Sequence, residues 1–265
     1  MNPPKPSCHI DARSNTFLAA LPEREFALLA EHLEPVFLTK GQDLFLMGEM
    51  PHYIYYPTGA MVSVMMDMAD GFSVETYMLG NASLVGHFAM TGASFYRANV
   101  RTSGWAYRLP VQQLRCLLPD CPVHCQTSAQ TLGRAVAQLS QAIVCGKHHS
   151  VEQQLLRWLL ITLDRTLVPS IDMTHQEISE RLGFRREAIT VAVGKLMERG
   201  YIQVRRGTLE VIDRQALEAQ VCDCYWIGQG KIKPVIDRTM PMSELKAAYA
   251  HMGSRGVKGK LVMVN

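Results

Sequence analysis

The sequence predicts an α+β protein: an N-terminal antiparallel β-roll, one long helix, a set of shorter helices ending in a hairpin, and a short C-terminal β-α-β appendage. Three observations carry this. Between Val36 and Leu109, short runs rich in Val, Tyr, Phe and Thr are separated by Gly41, Gly48, Gly59, Gly71, Gly80, Gly86, Gly92 and Gly104, the pattern of strands joined by turns. From Val123 to Cys145 the apolar spacing becomes helical, and it recurs in shorter segments from Ser150 onward. Beyond Tyr225 the texture changes again, to strand, helix and strand.

A chain of 265 residues is too long for one small core and suits two domains with an appendage. Its hydrophobic fraction of 48% and charged fraction of 19% are those of a soluble globular protein. With 27 Lys+Arg against 24 Asp+Glu the formal net charge is +3, so nucleic-acid binding would have to come from local clustering of basic residues. No apolar run approaches the roughly 20 residues of a membrane span, and the opening "MNPPKPSCHIDARS" lacks the apolar core of a secretory signal, so the expectation is a cytoplasmic protein with no membrane partner. Seven cysteines, an odd number without small-domain spacing, then read as thiols in a reducing compartment.

Taken in order, residues 1–20 read as a disordered N-terminus and 21–122 as the β-roll, entered through a short helix from Pro22 to Leu33 with Phe26, Leu29, Ala30 and Leu33 on one face. "YIYYPTGAMVSVMM" is the clearest strand pair, flanking Pro57-Thr58-Gly59. Residues 123–147 read as a dimerisation helix, because Leu132, Val136, Leu139 and Ile143 follow the 4-3-4 spacing of a seam while Gln130, Arg134, Gln138 and Gln141 lie off it. The alternative is that the stripe packs on the chain's own sheet. In "HHSVEQQLLRWLLITLDR", Ser150 with Gln153 three residues on starts a further helix, which "TLVPSID" ends.

The region 148–225 carries the functional signal in "MTHQEISERLGFRREAITVAVGKLMERGYIQVRRG". Thr174 and Glu177 make a capping box. Ile178, Leu182 and Phe184 face inward, and Gly183 supplies the turn of a helix-turn-helix. The next helix, 185–199, is expected to bury Ile189, Val193, Leu196 and Met197 and to present Arg186, Glu187, Thr190 and Lys195. An arginine fork can donate twice to guanine and a carboxylate can accept from cytosine, so Arg186-Glu187 in a first turn suits the major groove. The strands of "YIQVRRGTLEVID" then form a wing whose Arg205 and Arg206 can meet phosphates. With Thr174, Gln176 and Arg185 beside them, these are the candidate DNA contacts. Taken alone, a helix-Gly-helix with arginines is a solvated hairpin; the succession of cap, turn, Arg-Glu pair and basic hairpin favours a winged helix-turn-helix.

That segment resembles the Crp/Fnr transcription regulators, whose recognition helix begins with an Arg-Glu pair like Arg186-Glu187. The resemblance covers most of residues 25–225, with Gly41, Leu44 and Gly48 of "LTKGQDLFLMGE" matching the opening turns of the family's cyclic-nucleotide-binding-like jelly roll. It implies a homodimer, a two-fold symmetric double-stranded DNA operator, transcription regulation rather than enzymatic activity, and RNA polymerase as a further candidate partner. Where the best-known members place a further arginine four residues after the Glu, this chain has Val191, so the operator sequence does not carry over.

The cofactor expectations are negative. Cyclic-nucleotide binders of the family use a Gly-Glu pair and then an arginine; here Gly86 is followed by His87, and Tyr96 takes the arginine position with Arg97 one place late, read as a surface or loop residue. A cyclic phosphate needs compact donors and charge. An iron-sulfur cluster is equally unexpected, because only Cys8 lies near the N-terminus, while Cys116, Cys121 and Cys125 match no metal spacing. Cys222-Asp223-Cys224 reads as buried thiols and His148-His149 as a polar helix junction, so no metal site is expected and the effector stays unassigned. Residues 226–265, "GKIKPVID" through a helix capped by Ser243 to "GKLVMVN", resemble the end of medium-chain dehydrogenase/reductase enzymes. The dinucleotide fingerprint and zinc ligands of those enzymes are absent, and the face Leu245, Ala248, Tyr249, Met252 lacks its usual neighbours.

Overall fold

The computed structural model describes residues 11–164, 170–205, 207–228, 231, 236–253 and 260–264. The chain forms two units, Met1–Cys222 and Asp223–Asn265. In the first, a 3-10 turn at Ala12–Ser14 leads into α1 (Thr16–Ala19) and α2 (Glu23–Ala30). The strands β1 (Glu34–Leu38), β2 (Asp43–Phe45), β3 (Tyr53–Pro57), β4 (Met61–Asp67), β5 (Ser73–Leu79), β6 (Arg97–Thr102) and β7 (Gly104–Pro110) follow. They build two antiparallel sheets, ordered β1-β7-β3 and β2-β6-β4-β5, which are the two layers of the expected roll.

The alternating side chains of β3 explain why that strand belongs to two cores. Ile54 and Tyr56 point toward the helices, packing with Phe17, Leu18, Leu29, Leu109 and Leu114. Tyr55 points the other way, between the sheets, with Leu38, Val62, Val64, Val100 and Ala106. The strands either side of Pro57-Thr58-Gly59 lie in different sheets, so this turn is a crossing between layers rather than a hairpin. Thr58, Gly59 and Ala60 all turn their N–H groups onto Trp105 O, and a Cβ on Gly104 would collide with the Gly59 backbone. Glycine is required there by close approach of two backbones.

Residues 11–20 correct the expectation of a disordered start. Phe17 and Leu18 are buried, and Asn15 is the reason the segment is held: its Oδ1 accepts from Leu18 N at 3.1 Å while its Nδ2 donates to Pro57 O at 2.8 Å and Ser83 O at 3.0 Å. On α2 the apolar face is narrower than expected, with Leu29 buried but Ala30 exposed, and with Glu25 buried instead.

After α3 (Val111–Leu117) comes α4 (Pro122–His148), then α5 (Val151–Leu163) with the expected Ser150–Gln153 capping box. Glu25 caps α4, accepting from Val123 N at 3.0 Å and His124 N at 2.9 Å, a carboxylate at the positive end of the helix dipole. His124 Nε2 lies 2.9 Å from Tyr56 Oη inside the same core. The winged half has β8 (Ser170–Asp172), α6 (His175–Leu182), α7 (Arg186–Glu198), β9 (Ile202–Arg205), β10 (Thr208–Val211) and α8 (Arg214–Gln220), with sheet order β8-β10-β9. Strand β8 arises within the stretch expected only to break a helix.

The second unit contains α9 (Asp223–Gly228), β11 (Ile236–Pro241), α10 (Leu245–Gly253) and β12 (Lys260–Val264). Strands β11 and β12 pair in parallel with α10 between them, the expected β-α-β order. Ser243 falls in a 3-10 turn before α10, and Ala248 is buried while Leu245, Tyr249 and Met252 stay exposed. No described helix is long and apolar enough to cross a membrane.

Burial pushes the imidazoles of His87 and His124 down from 6.5 to about 4. Their neutral forms are favoured on folding, so this contribution is present above pH 6.5 and is lost as pH falls toward 4. Urea unfolding across that window should show stability dropping by about 3 kcal/mol per histidine, and His124→Gln should flatten the drop.

Candidate nucleic-acid interface and its joint to the roll

The helix-turn-helix is set by local chemistry that the sequence shows directly. Thr174 Oγ1 accepts from Glu177 N at 3.2 Å and Glu177 Oε2 accepts from Thr174 N at 2.7 Å, closing the capping box of α6. The helix ends at Gly183, whose φ of 71° is the left-handed conformation that favours glycine. A Cβ at Gly183 would also press on Phe72 Cζ and Val74 Cγ2 at 3.2 and 3.3 Å, so the turn is fitted against the start of β5. Arg185 is the N-cap of α7, and Ile189, Ala192, Val193 and Leu196 anchor that helix.

The outer face of α7 carries Arg186, Glu187, Thr190 and Val191, with Arg185 at its head. Thr190 Oγ1 donates to Arg186 O at 3.0 Å and lies 3.1 Å from His175 Nδ1, a link between the two helices that the sequence reading missed. Thr174 and Gln176 are exposed at the start of α6, where Gln176 Nε2 donates to Glu180 Oε1 at 2.8 Å. Lys195 sits on a flank of α7 where its Nζ is 4.0 Å from Glu152 on α5, which also binds Arg199. Met197, expected inside, is 43% exposed, and Ala192 takes the inner position. On the wing, Arg205 is exposed at the end of β9 and Gly207 turns the chain with φ 86°; Arg206 lies outside the described residues.

The winged half is held to the roll by a buried ionic joint. Glu75 on β5 accepts from Arg181 Nη1 of α6 at 2.8 Å, from Arg101 Nη1 of β6 at 3.4 Å and from Trp158 Nε1 of α5 at 3.2 Å, and it also binds Ser63. Arg101 stacks over the Trp158 ring at 4.5 Å and donates to Thr162 Oγ1 at 3.1 Å. Lys40, between β1 and β2, adds a donor to Asp172 O at 2.8 Å.

On the roll, Gly86 turns with φ 100° into the 3-10 helix that carries His87, whose Nε2 is enclosed with no partner among the described residues. Tyr96 is buried. Arg97 is neither a loop nor a free surface group: on β6 it grips Asp67 through Nε at 2.7 Å and Nη2 at 2.9 Å and reaches Asp43 at 3.2 Å. That guanidinium holds the Asp67 carboxyl below its usual range. A cavity of about 580 Å³ opens between the roll, at Met61, Leu79 and Asn81, and α4, at Thr131, Arg134 and Gln138.

Along α4, Val136 and Ile143 are 54% and 60% exposed while Leu132 and Leu139 are half-buried; Thr131 and Ala135 face the chain's own core. Cys116 and Cys125 are exposed and Cys121 is buried near the start of α4. The donors that do converge, against expectation, are Cys145 at the end of α4, His149 at its C-cap and Cys222 after α8. Spacing could not reveal this, because Cys145 and Cys222 are 77 residues apart.

Residues 153–220 match the family model of the Crp-like helix-turn-helix domain. The matched stretch runs from α5 to α8, the winged half of the fold. The chain carrying it is also similar, over 192 residues at 23% identity, to the global nitrogen regulator of Synechococcus elongatus, covering 68% of this chain and 86% of that protein. The CRP-like cAMP-activated global transcriptional regulator of Mycobacterium tuberculosis is 22% identical over 215 residues, 78% of this chain and 96% of that one. A CRP-family transcriptional regulator from Thermus thermophilus superposes with TM-score 0.61 at 18% identity, over 69% of this chain and 95% of the other. That likeness shows the fold, which is the Crp/Fnr one expected, and these relatives are regulators rather than enzymes.

Among the described residues Glu75 is the carboxylate that sits between two guanidiniums at the joint, so the two sides should respond differently to removal. Glu75→Gln removes the carboxylate that two guanidiniums share and should cost about 3–5 kcal/mol of unfolding free energy. Arg181→Met leaves a matched Glu75–Arg101 pair, so urea unfolding should show a smaller loss, with faster amide exchange concentrated in α6.

Proposed function

We propose that the protein is a homodimeric, sequence-specific DNA-binding transcription regulator that inserts α7 into the major groove. The observation that carries this is the exposed first turn of α7, where Arg185, Arg186 and Glu187 project from a Crp-like domain on a helix anchored by its opposite face. Arg186 and Glu187 contact base edges, Thr174, Gln176 and Arg185 contact the backbone, and Arg205 with Arg206 meets phosphates across the wing. Val191, 60% exposed on the same face, offers an apolar contact to a thymine methyl. Lys195 contributes only if it leaves Glu152.

Dimerisation through α4 is supported by the exposed Val136, Ile143 and Val144 on a helix too long for the roll to cover. A two-fold protein calls for a two-fold operator. The cavity between Asn81 and Arg134 is of a size for a small-molecule effector. The mycobacterial relative is named as cAMP-activated, but here Arg97 is committed to Asp67 and Asp43, and His87 stands in place of a ribose-binding carboxylate. Both features support a regulator without a cyclic-nucleotide ligand. The unit Asp223–Asn265 is read as an appendage like the closing piece of a medium-chain dehydrogenase, without a part in base reading.

Selection from random duplex DNA at moderate salt should yield a two-fold symmetric motif. On that motif Arg186→Ala should reduce discrimination at one base step by about 1–3 kcal/mol, whereas Arg205→Ala should weaken all duplexes alike and lower the salt slope by about 1. An unchanged ratio of target to scrambled binding in Arg186→Ala would remove the base-reading role. Calorimetric titration with cyclic AMP should give no binding heat, and a saturable isotherm would overturn the assignment of the sensor.

A further inference from the structure

DNA reading leaves one cluster unexplained. Cys145 lies in the last turn of α4, His149 is the residue that caps it, and Cys222 follows the C-cap of α8. The Sγ atoms of Cys145 and Cys222 are 3.8 Å apart, and the donor atoms of Cys145, His149 and Cys222 lie within 4.8 Å of one another. Two sulfurs each about 2.3 Å from a tetrahedral Zn²⁺ are about 3.8 Å apart, so the observed separation is that of two ligands on one ion. A hydrogen bond between two thiols would bring the sulfurs about as close, but it would not draw an imidazole from the helix end into the same few ångströms.

Three further features agree. Sulfur and imidazole donors without a carboxylate suit Zn²⁺ and not Mg²⁺ or Ca²⁺. Two thiolates cancel the charge of the ion, which matters because both sulfurs are buried. An iron-sulfur cluster spreads its ligands over several irons, whereas donors this close meet at one centre. The backbone that carries the imidazole is itself held from α5, where Gln154 Nε2 donates to His149 O at 2.8 Å.

We propose that Cys145, His149 and Cys222 bind a single Zn²⁺ ion, which clamps the C-terminal end of α4 to the end of the Crp-like helix-turn-helix domain. Binding forms two Zn–S bonds and one Zn–N bond, and the two thiol protons pass to solvent. The fourth tetrahedral position is left to water or a further thiol. The ion is structural: it joins the α4 rod to the reader through α8, at the point where the chain passes from one to the other.

The full-length protein, stripped with chelator and titrated with Co²⁺ as a spectroscopic stand-in, should take up one ion per chain with a thiolate charge-transfer band, and Zn²⁺ should displace it. The double variant Cys145→Ser, Cys222→Ser should lose that band, and His149→Ala should weaken binding more than about tenfold. Circular dichroism of the variants checks that they fold, and the melting temperature of the stripped wild type should rise when Zn²⁺ is returned. An absent charge-transfer band in the wild type, or a band retained in the folded double variant, would overturn the site.

Discussion

The carboxylate of Glu75 is the point on which the arrangement of the molecule depends. A buried charge must be matched, and the matching groups here come from four different segments: Arg101 and Ser63 from two strands of the roll, Trp158 from α5 and Arg181 from α6. The joint between the roll and the winged half is therefore specified by direction and charge, not only by apolar area. Because Arg181 lies on the helix before the Gly183 turn, its position sets how α7 is presented. The close fit of Gly183 against Phe72 and Val74 fixes the same helix a second way.

The roll supports this joint through a division of labour within single strands. The period of two in β3 sends Ile54 and Tyr56 to the helical side and Tyr55 to the space between sheets, so one strand ties both cores together. Where the chain crosses from β3 to β4, the Gly59 backbone lies so close to Gly104 that no side chain fits on Gly104. Arg97 is consumed by the roll's own carboxylates, Asp67 and Asp43.

The features legible in the sequence are those that depend on near neighbours. The capping boxes at Ser150 and Thr174, the Gly183 turn, the extent of α4 and the hairpin of the wing are all written within a few residues. What escapes the sequence depends on contacts across long separations. Asn15 orders the N-terminal segment only because the carbonyls of Pro57 and Ser83 converge on it. Arg97 is an ion-paired strand residue because Asp67 and Asp43 face it, and His149 meets two thiols because the end of α8 returns to the end of α4. Met197 falls on the wet side of its helix, since periodicity alone does not say which edge of an apolar stripe the neighbours cover.

Helix α4 has 27 residues, so it is a rod about 40 Å long. At one end its first N–H groups are seated in the Glu25 carboxylate, and at the other its final turn lies among the thiols and imidazole beside the reader. A rod seated at both ends links those ends through its backbone hydrogen bonds. A rotation of the helix at the Glu25 end would be carried along its hydrogen-bonded turns to the Cys145 end, with no chain of moving side chains needed between them.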